Sequence, residues 1–227
     1  MDSRPVGMFD SGVGGLSVLQ HFRRIAPAED IVYFADTAYF PYGPRPAPEV
    51  RKRAFQATYA LLNAGAKLIV VACNTASAAA ISDLREAFND VPFVGMVPGL
   101  KPAAALTRTR RVAILATPGT LDGGLYQRVV DEFGAGTTIH NVPGHGLAEL
   151  VEAGLAGSPQ AHDTIRDTLA AEVAAGADTV VLGCTHYHFL TEAIAATYPG
   201  LAIVDTSEPV AQRAVALLRE RDLATPS

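Results

Sequence analysis

Hydrophobic and polar positions divide the chain into two alternating kinds of segment. Short, continuous apolar runs are separated by longer stretches in which apolar residues recur with helical spacing. A continuous apolar run between helical patterns is typical of a parallel strand that is buried on both faces. Strands are predicted over Val6–Phe9, Ile31–Ala35, Lys67–Ala72, Phe93–Met96, Val112–Ala116, Thr137–Asn141, Thr179–Gly183 and Ala202–Asp205. Helices are predicted over Leu16–Ile25, Glu49–Asn63, Ala76–Phe88, Leu121–Phe133, Ala161–Ala175 and Glu208–Glu220. The alternation predicts the α/β class, with parallel sheets flanked by helices.

The second half of the chain repeats a pattern of the first half. Residues 63–75 align without gaps with residues 174–186, and each segment has a helix end with glycine, an apolar strand, and a cysteine followed by polar residues. A repeat at a fixed period indicates a duplicated structural unit. We therefore expect two pseudo-symmetric α/β domains, with the active site in the cleft between them. The first domain is predicted to comprise residues 1–97 and 208–227 and to carry Cys73, and the second to comprise residues 98–207 and to carry Cys184.

The two cysteines are expected at the carboxyl ends of strands, where open parallel sheets bind ligands. Two thiols facing each other across a cleft can serve as base and acid on opposite faces of an amino-acid Cα. The free thiol pKa of about 8.5 can be tuned towards neutrality by neighbouring groups, as efficient acid–base catalysis requires. A buried inert thiol is the usual alternative for one cysteine alone. The repeat of both thiols in the same local pattern argues against it.

Polar residues directly follow each cysteine. Asn74 and Thr75 begin a helix after Cys73, and a helix N-terminus stabilises a thiolate or a substrate carboxylate. Thr185 and His186 follow Cys184, and the imidazole can donate a proton to a neighbouring group or orient it. A purely structural histidine is the alternative, which its position beside the cysteine disfavours.

Other strand ends carry further candidate chemistry. Asp10 begins a glycine-rich turn that lacks the spacing of the dinucleotide fingerprint, and its carboxylate is interpreted as contacting a substrate ammonium or a base. A helix-capping carboxylate is the alternative for Asp10. Residues 36–48 are predicted to form a long loop, in which Tyr42 and Gly43 could donate to a bound carboxylate. Residues 117–120 form the equivalent helix entry in the second half.

Composition excludes several classes of function. The net charge of −5 gives no basic footprint for nucleic acid. No apolar run is long enough to span a membrane, and no signal peptide is recognised, so a cytoplasmic protein is expected. Two cysteines and scattered histidines do not have zinc-site spacing, and no metal is expected.

These features together resemble the glutamate racemases over essentially the whole chain. The resemblance rests on residues 9–17, 35–37, 41–43, 72–77, 116–120 and 183–187, with the Asp-Ser-Gly-Val-Gly-Gly and Gly-Cys-Thr-His stretches being the most specific in combination. It implies an isomerase that interconverts L- and D-glutamate without pyridoxal phosphate, any other cofactor or a metal. It also implies a role in supplying D-glutamate for peptidoglycan.

The resemblance assigns roles to individual residues. Cys73 would exchange the proton on the D face and Cys184 on the L face, with Asp10 assisting near Cys73 and His186 near Cys184. Glu152 matches the second-domain carboxylate of the family. The residues expected to bind substrate are Asp10, Ser11, Tyr42, Gly43, Asn74, Thr75, Thr117, Thr120, Thr185 and His186. A homodimer is a possible assembly, because dimers are the commonest symmetric oligomers.

The chain departs from the family pattern at three places. Val97-Pro98 stands where Glu-Pro is often found, His188 stands where Pro is common, and the segment before Glu152 lacks the usual Cys-Pro. Three other functions remain open at this point. A related racemase acting on aspartate would keep both cysteines, and a thiol redox protein would join them in a disulfide. A non-catalytic binding protein on a periplasmic-binding-like scaffold would not need them for ligand binding.

Overall fold

The computed structural model describes residues 2–225, and this part of the chain alternates strands with helices. The strands are β1 (Val6–Asp10), β2 (Ile31–Ala35), β3 (Leu68–Val71), β4 (Phe93–Val94), β5 (Arg111–Ala116), β6 (Thr138–Pro143), β7 (Thr179–Gly183) and β8 (Ala202–Val204). The helices are α1 (Leu16–Ile25), α2 (Ala47–Asn63), α3 (Asn74–Ala87), α4 (Leu100–Leu106), α5 (Pro118–Leu121), α6 (Gly124–Phe133), α7 (Leu147–Glu152), α8 (Pro159–Ala174), α9 (Thr191–Thr197) and α10 (Ser207–Glu220). Two 3-10 helices cover Thr37–Tyr39 and Thr185–Leu190.

Within the described residues the strands form two four-stranded sheets with the same topology. The first sheet has the order β2-β1-β3-β4 and the second has the order β6-β5-β7-β8, and every pairing is parallel. The predicted α/β fold and its internal repeat are therefore confirmed. In both sheets the strand order reverses between the two central strands, since the chain adds strands first on one side and then on the other, and such sheets bind ligands at this point.

Each sheet is covered on both faces, as the continuous apolar strands predict. In β3, Ile69 and Val71 pack with the buried residues of α2 and α3, whereas Leu68 and Val70 pack with those of α1 and α10. The second sheet is covered in the same way, with α7, α8 and α9 on one face and α4 and α6 on the other. Successive side chains of a strand point alternately to the two faces, so each core takes every second residue. A strand that serves both cores is therefore apolar at consecutive positions.

The chain crosses between the two sheets after β4 and again after β8. Helix α10, which follows the second crossing, packs on the first sheet beside α1 through Val210, Ala214 and Leu218. Helix α4, which follows the first crossing, packs on the second sheet through Leu100 and Ala103. This packing supports the proposed domains, residues 1–97 with 208–227 and residues 98–207.

Several predicted elements need correction. The segment Leu121–Phe133 is not one helix, because α5 ends at Leu121 and α6 begins at Gly124. The intervening Gly123 and the adjacent Gly124 are weak helix formers, which accounts for the break. The predicted loop of residues 36–48 contains a 3-10 helix and ends earlier, where α2 begins at Ala47. Helices α4, α7 and α9 were not predicted, since six or seven residues are too few to show a helical period.

Of the helices that the structure describes, none has the length and apolar character required to cross a membrane.

A buried ion pair at the opposite end of the first sheet gives a stability prediction. Lys67 Nζ lies 2.7 Å from Glu29 Oε2, and the two side chains are 0% and 5% exposed. We expect Lys67→Met to destabilise the fold by about 3–5 kcal/mol, because the Glu29 carboxylate would remain buried without its cation. Arg166→Met is the matched control, since it breaks an exposed pair with Asp163 that contributes about 1 kcal/mol at most. Urea unfolding measures both, and an equal effect of the two substitutions would contradict the prediction.

Candidate active site

Cys73 lies at the junction between β3 and α3. Its extended backbone forms the N-cap of α3, and Sγ accepts a hydrogen bond from Ala76 N at 3.4 Å. The residue is 5% exposed. The adjacent Asn74 is also buried, and no described residue bonds to either polar atom of its amide. The helix start therefore places a thiol and an amide with open hydrogen-bonding capacity side by side.

Asp10 ends β1, the strand that pairs with β3 in the centre of the first sheet. The residue is fully buried, and Oδ2 accepts a hydrogen bond from Gly15 N at 2.9 Å. Thr185 Oγ1, from the 3-10 helix that follows β7 of the second sheet, is 3.5 Å from both carboxylate oxygens. Asp10 thus lies where the two sheets meet.

Cys73 and Asp10 share one electrostatic environment. Burial raises the pKa of Cys73, and the charge of Asp10 raises it further. Burial also raises the pKa of Asp10, against the opposing effects of the His186 charge and the backbone hydrogen bonds from Gly15 and Ser11. Because each carboxylate or thiolate charge disfavours the other, the pair favours holding a proton.

Cys184 begins the 3-10 helix Thr185–Leu190 directly after β7, the equivalent of β3 in the second sheet. Its Sγ is 3.9 Å from His186 Nδ1, at the long end of a sulfur hydrogen bond. The other ring nitrogen, His186 Nε2, is 2.7 Å from Glu152 Oε1. The imidazole therefore lies between a thiol and a carboxylate, with one nitrogen directed at each.

The charge state of this group follows from its hydrogen bonds. Burial by itself would lower the pKa of His186, but the hydrogen bonds to Cys184 and Glu152 outweigh it and raise the pKa to about 10. The hydrogen bond from His186 lowers the pKa of Glu152. At neutral pH the imidazole is consequently protonated and the carboxylate is ionised.

The glycine-rich turn after β1 packs directly against this group. Val13 N donates to Glu152 Oε1 at 2.7 Å, so the carboxylate joins the first sheet to the second. A Cβ atom at Gly12 would collide with Glu152, and one at Gly14 would collide with His186. The turn therefore needs glycine at both positions because the second-domain side chains approach its backbone.

The Tyr42 hydroxyl is already engaged within the first domain. It donates to Asp36 Oδ2 at 2.5 Å, and Asp36 also forms a two-pronged ion pair with Arg53, at 2.6 and 2.8 Å. Tyr42 is 1% exposed. In this structure the predicted substrate donor thus anchors the turn that carries Gly43.

Three threonines meet at the other side of the cleft. Thr75 Oγ1 is 2.8 Å from Thr117 Oγ1, which is 3.0 Å from Thr120 Oγ1. Thr75 belongs to α3 and the other two belong to the start of α5, so their hydroxyl groups join the two sheets. Their hydrogens can rotate towards another acceptor.

Most of the predicted residues line one small cavity between the sheets. The cavity has a volume of about 20 Å³ and is lined by Asp10, Ser11, Phe40, Pro41, Tyr42, Gly43, Cys73, Asn74, Thr75, Thr117, Ala148, Cys184, Thr185 and His186. Glu152 and Thr120 are not part of this lining but contact it, Glu152 through His186 and Thr120 through Thr117. No site role was predicted for Phe40, Pro41 or Ala148. Phe40 packs on the His186 ring at a centroid distance of 5.2 Å, and its place in the predicted loop was the available signal.

The described lining contains no lysine or arginine. Carboxylate groups in this cavity would meet backbone amides, the Asn74 amide and threonine hydroxyls, with His186 as the nearest cation. Within residues 2–225, no three His, Cys, Asp or Glu side chains are grouped so as to hold a metal ion. The arrangement suits proton transfer between two thiols, each with an acid–base partner of its own.

Glu152 gives a prediction about the charge of His186. We expect Glu152→Gln to lower the His186 pKa from about 10 towards its ordinary value of 6.5, because a charged hydrogen-bond acceptor is lost. Because the pKa of His186 is higher in the folded state, the protonated ring contributes its full stabilisation of the fold below pH 6.5. This contribution disappears as the pH rises through 10. The variant should therefore lose stability most below pH 6.5, and its kcat should fall about tenfold through misplacement of the ring.

The measurement is an NMR titration of the His186 ring together with unfolding at several pH values. Glu149→Gln is the matched control, because Glu149 lies on the same helix but is exposed. An unchanged His186 titration in Glu152→Gln would show that the contact does not control the ring.

Comparison with known proteins identifies the family. Residues 7–214 match the family described as Asp/Glu/Hydantoin racemase. A glutamate racemase of Herpetosiphon aurantiacus is 46% identical over 227 residues, which are 100% of this chain and 89% of that protein. The crystal structure of glutamate racemase from Thermus thermophilus in complex with β-chloro-D-alanine has a TM-score of 0.84 and 40% identity, covering 100% of this chain and 85% of that one. The crystal structure of Escherichia coli glutamate racemase in complex with L-glutamate and the activator UDP-MurNAc-Ala has a TM-score of 0.88 and 36% identity, covering 99% of this chain and 85% of that one. The chain belongs to the Asp/Glu/hydantoin racemase family and, within it, to the glutamate racemases, which are isomerases.

Proposed function

We propose that this chain interconverts L- and D-glutamate by moving a proton at Cα between Cys73 and Cys184, without a cofactor. The observation that carries the proposal is that both thiols line one cavity while coming from equivalent strands of different sheets. Inversion requires a base on one face of Cα and an acid on the other. Two thiols from opposing sheets meet this requirement.

The proton balance is the same in either direction. Starting from L-glutamate, the Cys184 thiolate removes the Cα proton, and the Cys73 thiol gives its proton to the opposite face. D-glutamate leaves with Cys184 protonated and Cys73 as a thiolate. The reverse reaction starts from that state, and the resting state returns when protons exchange with solvent. The assignment of Cys184 to the L face follows from family resemblance.

Each thiol has its own proton-handling neighbour. Protonated His186 lies 3.9 Å from Cys184 Sγ and can stabilise the thiolate. Asp10 lies beside Cys73 and can accept its proton, because burial raises the carboxyl pKa. Glu152 acts through His186 and is a positioning residue.

Substrate carboxylates are proposed to bind to neutral donors. The start of α3 offers backbone N–H groups and the positive end of a helix dipole, next to Asn74 and Thr75. Ser11, Gly43, Thr117, Thr120 and Thr185 supply the remaining hydroxyl and amide groups, and Asp10 is the candidate partner of the substrate ammonium.

The family resemblance also implies a physiological role. We propose that the D-glutamate formed is used for peptidoglycan synthesis. Complementation of a bacterial strain that requires D-glutamate tests this role. Growth without added D-glutamate is the expected result, and failure of an active, expressed protein to support growth would contradict the role.

The biochemical test uses the purified chain with L-glutamate and no added cofactor. Loss of optical rotation and the appearance of D-glutamate are expected. L-aspartate in a parallel reaction separates the two acidic substrates of the family. Turnover of aspartate alone would reject the glutamate assignment, and absence of both reactions in folded, reduced protein would favour a binding role.

A further inference from the structure

A second cavity lies directly outside the small cavity that holds the two thiols. It has a volume of about 430 Å³ and shares Gly43 and Thr75 with the inner cavity. The other described residues that line it come from α2, α3 and the α5–α6 junction, and include Arg45, Val50, Ala79, Pro118 and Gly124. A volume of this size is typical of small-molecule sites. The inner cavity, at about 20 Å³, has room for about one water molecule.

A thin wall of neutral contacts separates the two cavities. Gly119 N donates to Gly43 O at 3.1 Å, and the Thr75 and Thr117 hydroxyls meet at 2.8 Å. Both contacts join the first sheet to the second, so separating the sheets here would merge the two cavities. Two of the four residues that form the wall, Gly43 and Gly119, have no side chain.

The cleft is closed more firmly near Cys184. There Glu152 accepts from Val13 N across the cleft at 2.7 Å, His186 Nε2 holds the same carboxylate at 2.7 Å within the second domain, and Phe40 of the first domain packs on the imidazole. Hydrogen bonds to ionised groups are roughly twice as strong as those between neutral groups. The neutral wall near Cys73 is therefore the easier side to open.

We propose that the outer cavity is the entry vestibule for the acidic amino acid and that the wall formed by Gly43, Gly119, Thr75 and Thr117 is its gate. This inference rests on the proposed function. Substrate binds first in the vestibule, the wall opens, and the sheets close again over the substrate between the thiols. Arg45, which also pairs with Glu49 at 2.6 Å, and Asp122 are the charged side chains of the described vestibule lining, and their charges are opposite to those of an amino acid's carboxylate and ammonium groups.

A reversible cross-link across the vestibule tests the gate. A Cβ atom at Gly123 would lie 2.8 Å from Ala78 Cβ. A shift of about 1 Å would give the Cβ–Cβ distance of a disulfide, which is about 3.8 Å. Ala78→Cys/Gly123→Cys should lose at least tenfold in kcat/KM on oxidation and regain it with dithiothreitol. Mass spectrometry and titration of free thiols monitor formation of the disulfide. Wild type treated identically controls for oxidation of Cys73 and Cys184.

A filled vestibule provides a second test that needs no disulfide. A Cβ at Gly124 meets no atom within 4 Å, and the same is true at Gly157, which lies outside the vestibule lining. We expect Gly124→Trp to lower kcat/KM about tenfold, whereas Gly157→Trp leaves it unchanged. The isotope effect of Cα-deuterated glutamate on kcat/KM should fall towards 1 in Gly124→Trp alone, because entry then limits the rate.

The outcomes separate the two proposals. Wild type that does not racemise glutamate would contradict the proposed function. An active wild type whose cross-linked and Gly124→Trp variants keep the same kcat/KM would overturn the entry route alone. An unchanged isotope effect in a slower Gly124→Trp variant would also overturn it, because the loss would then lie in proton transfer.

Discussion

Racemisation should be lost when either Cys73 or Cys184 is replaced by serine. A serine hydroxyl has nearly the shape of a thiol but is far too weak an acid to serve as the second proton carrier near neutral pH. Positioned acid–base groups contribute about 10²–10⁴-fold to a rate, so we expect a loss of at least about 10³-fold in both directions. The measurement is the rate of D-glutamate formation from L-glutamate, and the reverse.

Each variant should still exchange the proton of one enantiomer. Cys73→Ser keeps Cys184 and should exchange the Cα proton of L-glutamate with solvent, while Cys184→Ser should exchange that of D-glutamate. Each variant is thus the matched control for the other, and retained exchange shows that it folds and binds substrate. Racemisation within tenfold of wild type in either variant would contradict a two-thiol mechanism.

Asp10→Asn should cause the second largest loss, about 10²-fold in kcat. The amide keeps an oxygen that can accept from Gly15 N, so the turn is preserved, but it cannot take a proton from Cys73. The Asp10 charge is one cause of the raised Cys73 pKa, so the variant should have a lower thiol pKa. A lower thiol pKa with slower turnover distinguishes lost proton exchange from loss of structure.

Thiolate absorbance followed against pH measures the pKa of Cys73, and steady-state rates measure turnover. In wild type the raised pKa of Cys73 means that its thiolate form increases as the pH rises, and proton removal from D-glutamate should accelerate in step. Asp36→Asn is the comparison, because Asp36 is also buried but anchors Tyr42 and Arg53. An unchanged thiol pKa in Asp10→Asn would show that Asp10 does not act on Cys73.

The strands could be predicted because both faces of each sheet are covered. Val180, Val181 and Leu182 belong alternately to two different cores, so the sequence shows a continuous apolar run. The end of β6 was less predictable, since it continues through Pro143. A proline is tolerated there because β6 lies at the edge of its sheet. The short helices α4, α7 and α9 depend on tertiary packing and give no periodic signal of their own.

The candidate site was predictable where local sequence determines position. Cys73 and Cys184 follow equivalent strands, and the repeat alone brings them to the same cleft. Glu152 could not be separated from Glu149 by local pattern, because both lie on one short polar-faced helix. Only the fold brings Glu152 to Val13 and His186. The Tyr42 hydroxyl was expected to face substrate, but its bond to Asp36 depends on an ion pair with Arg53 on a separate helix.

The position of deuterium early in the reaction tests the central claim most directly. Wild-type protein is incubated with L-glutamate in D2O, and both enantiomers are analysed before the reverse reaction begins. Two thiols on opposite faces predict deuterium at Cα of the D-glutamate product, with the remaining L-glutamate unlabelled. Product that retains the original proton, or equal early labelling of both enantiomers, would mean that one base serves both faces and would contradict the assignment of Cys73 and Cys184.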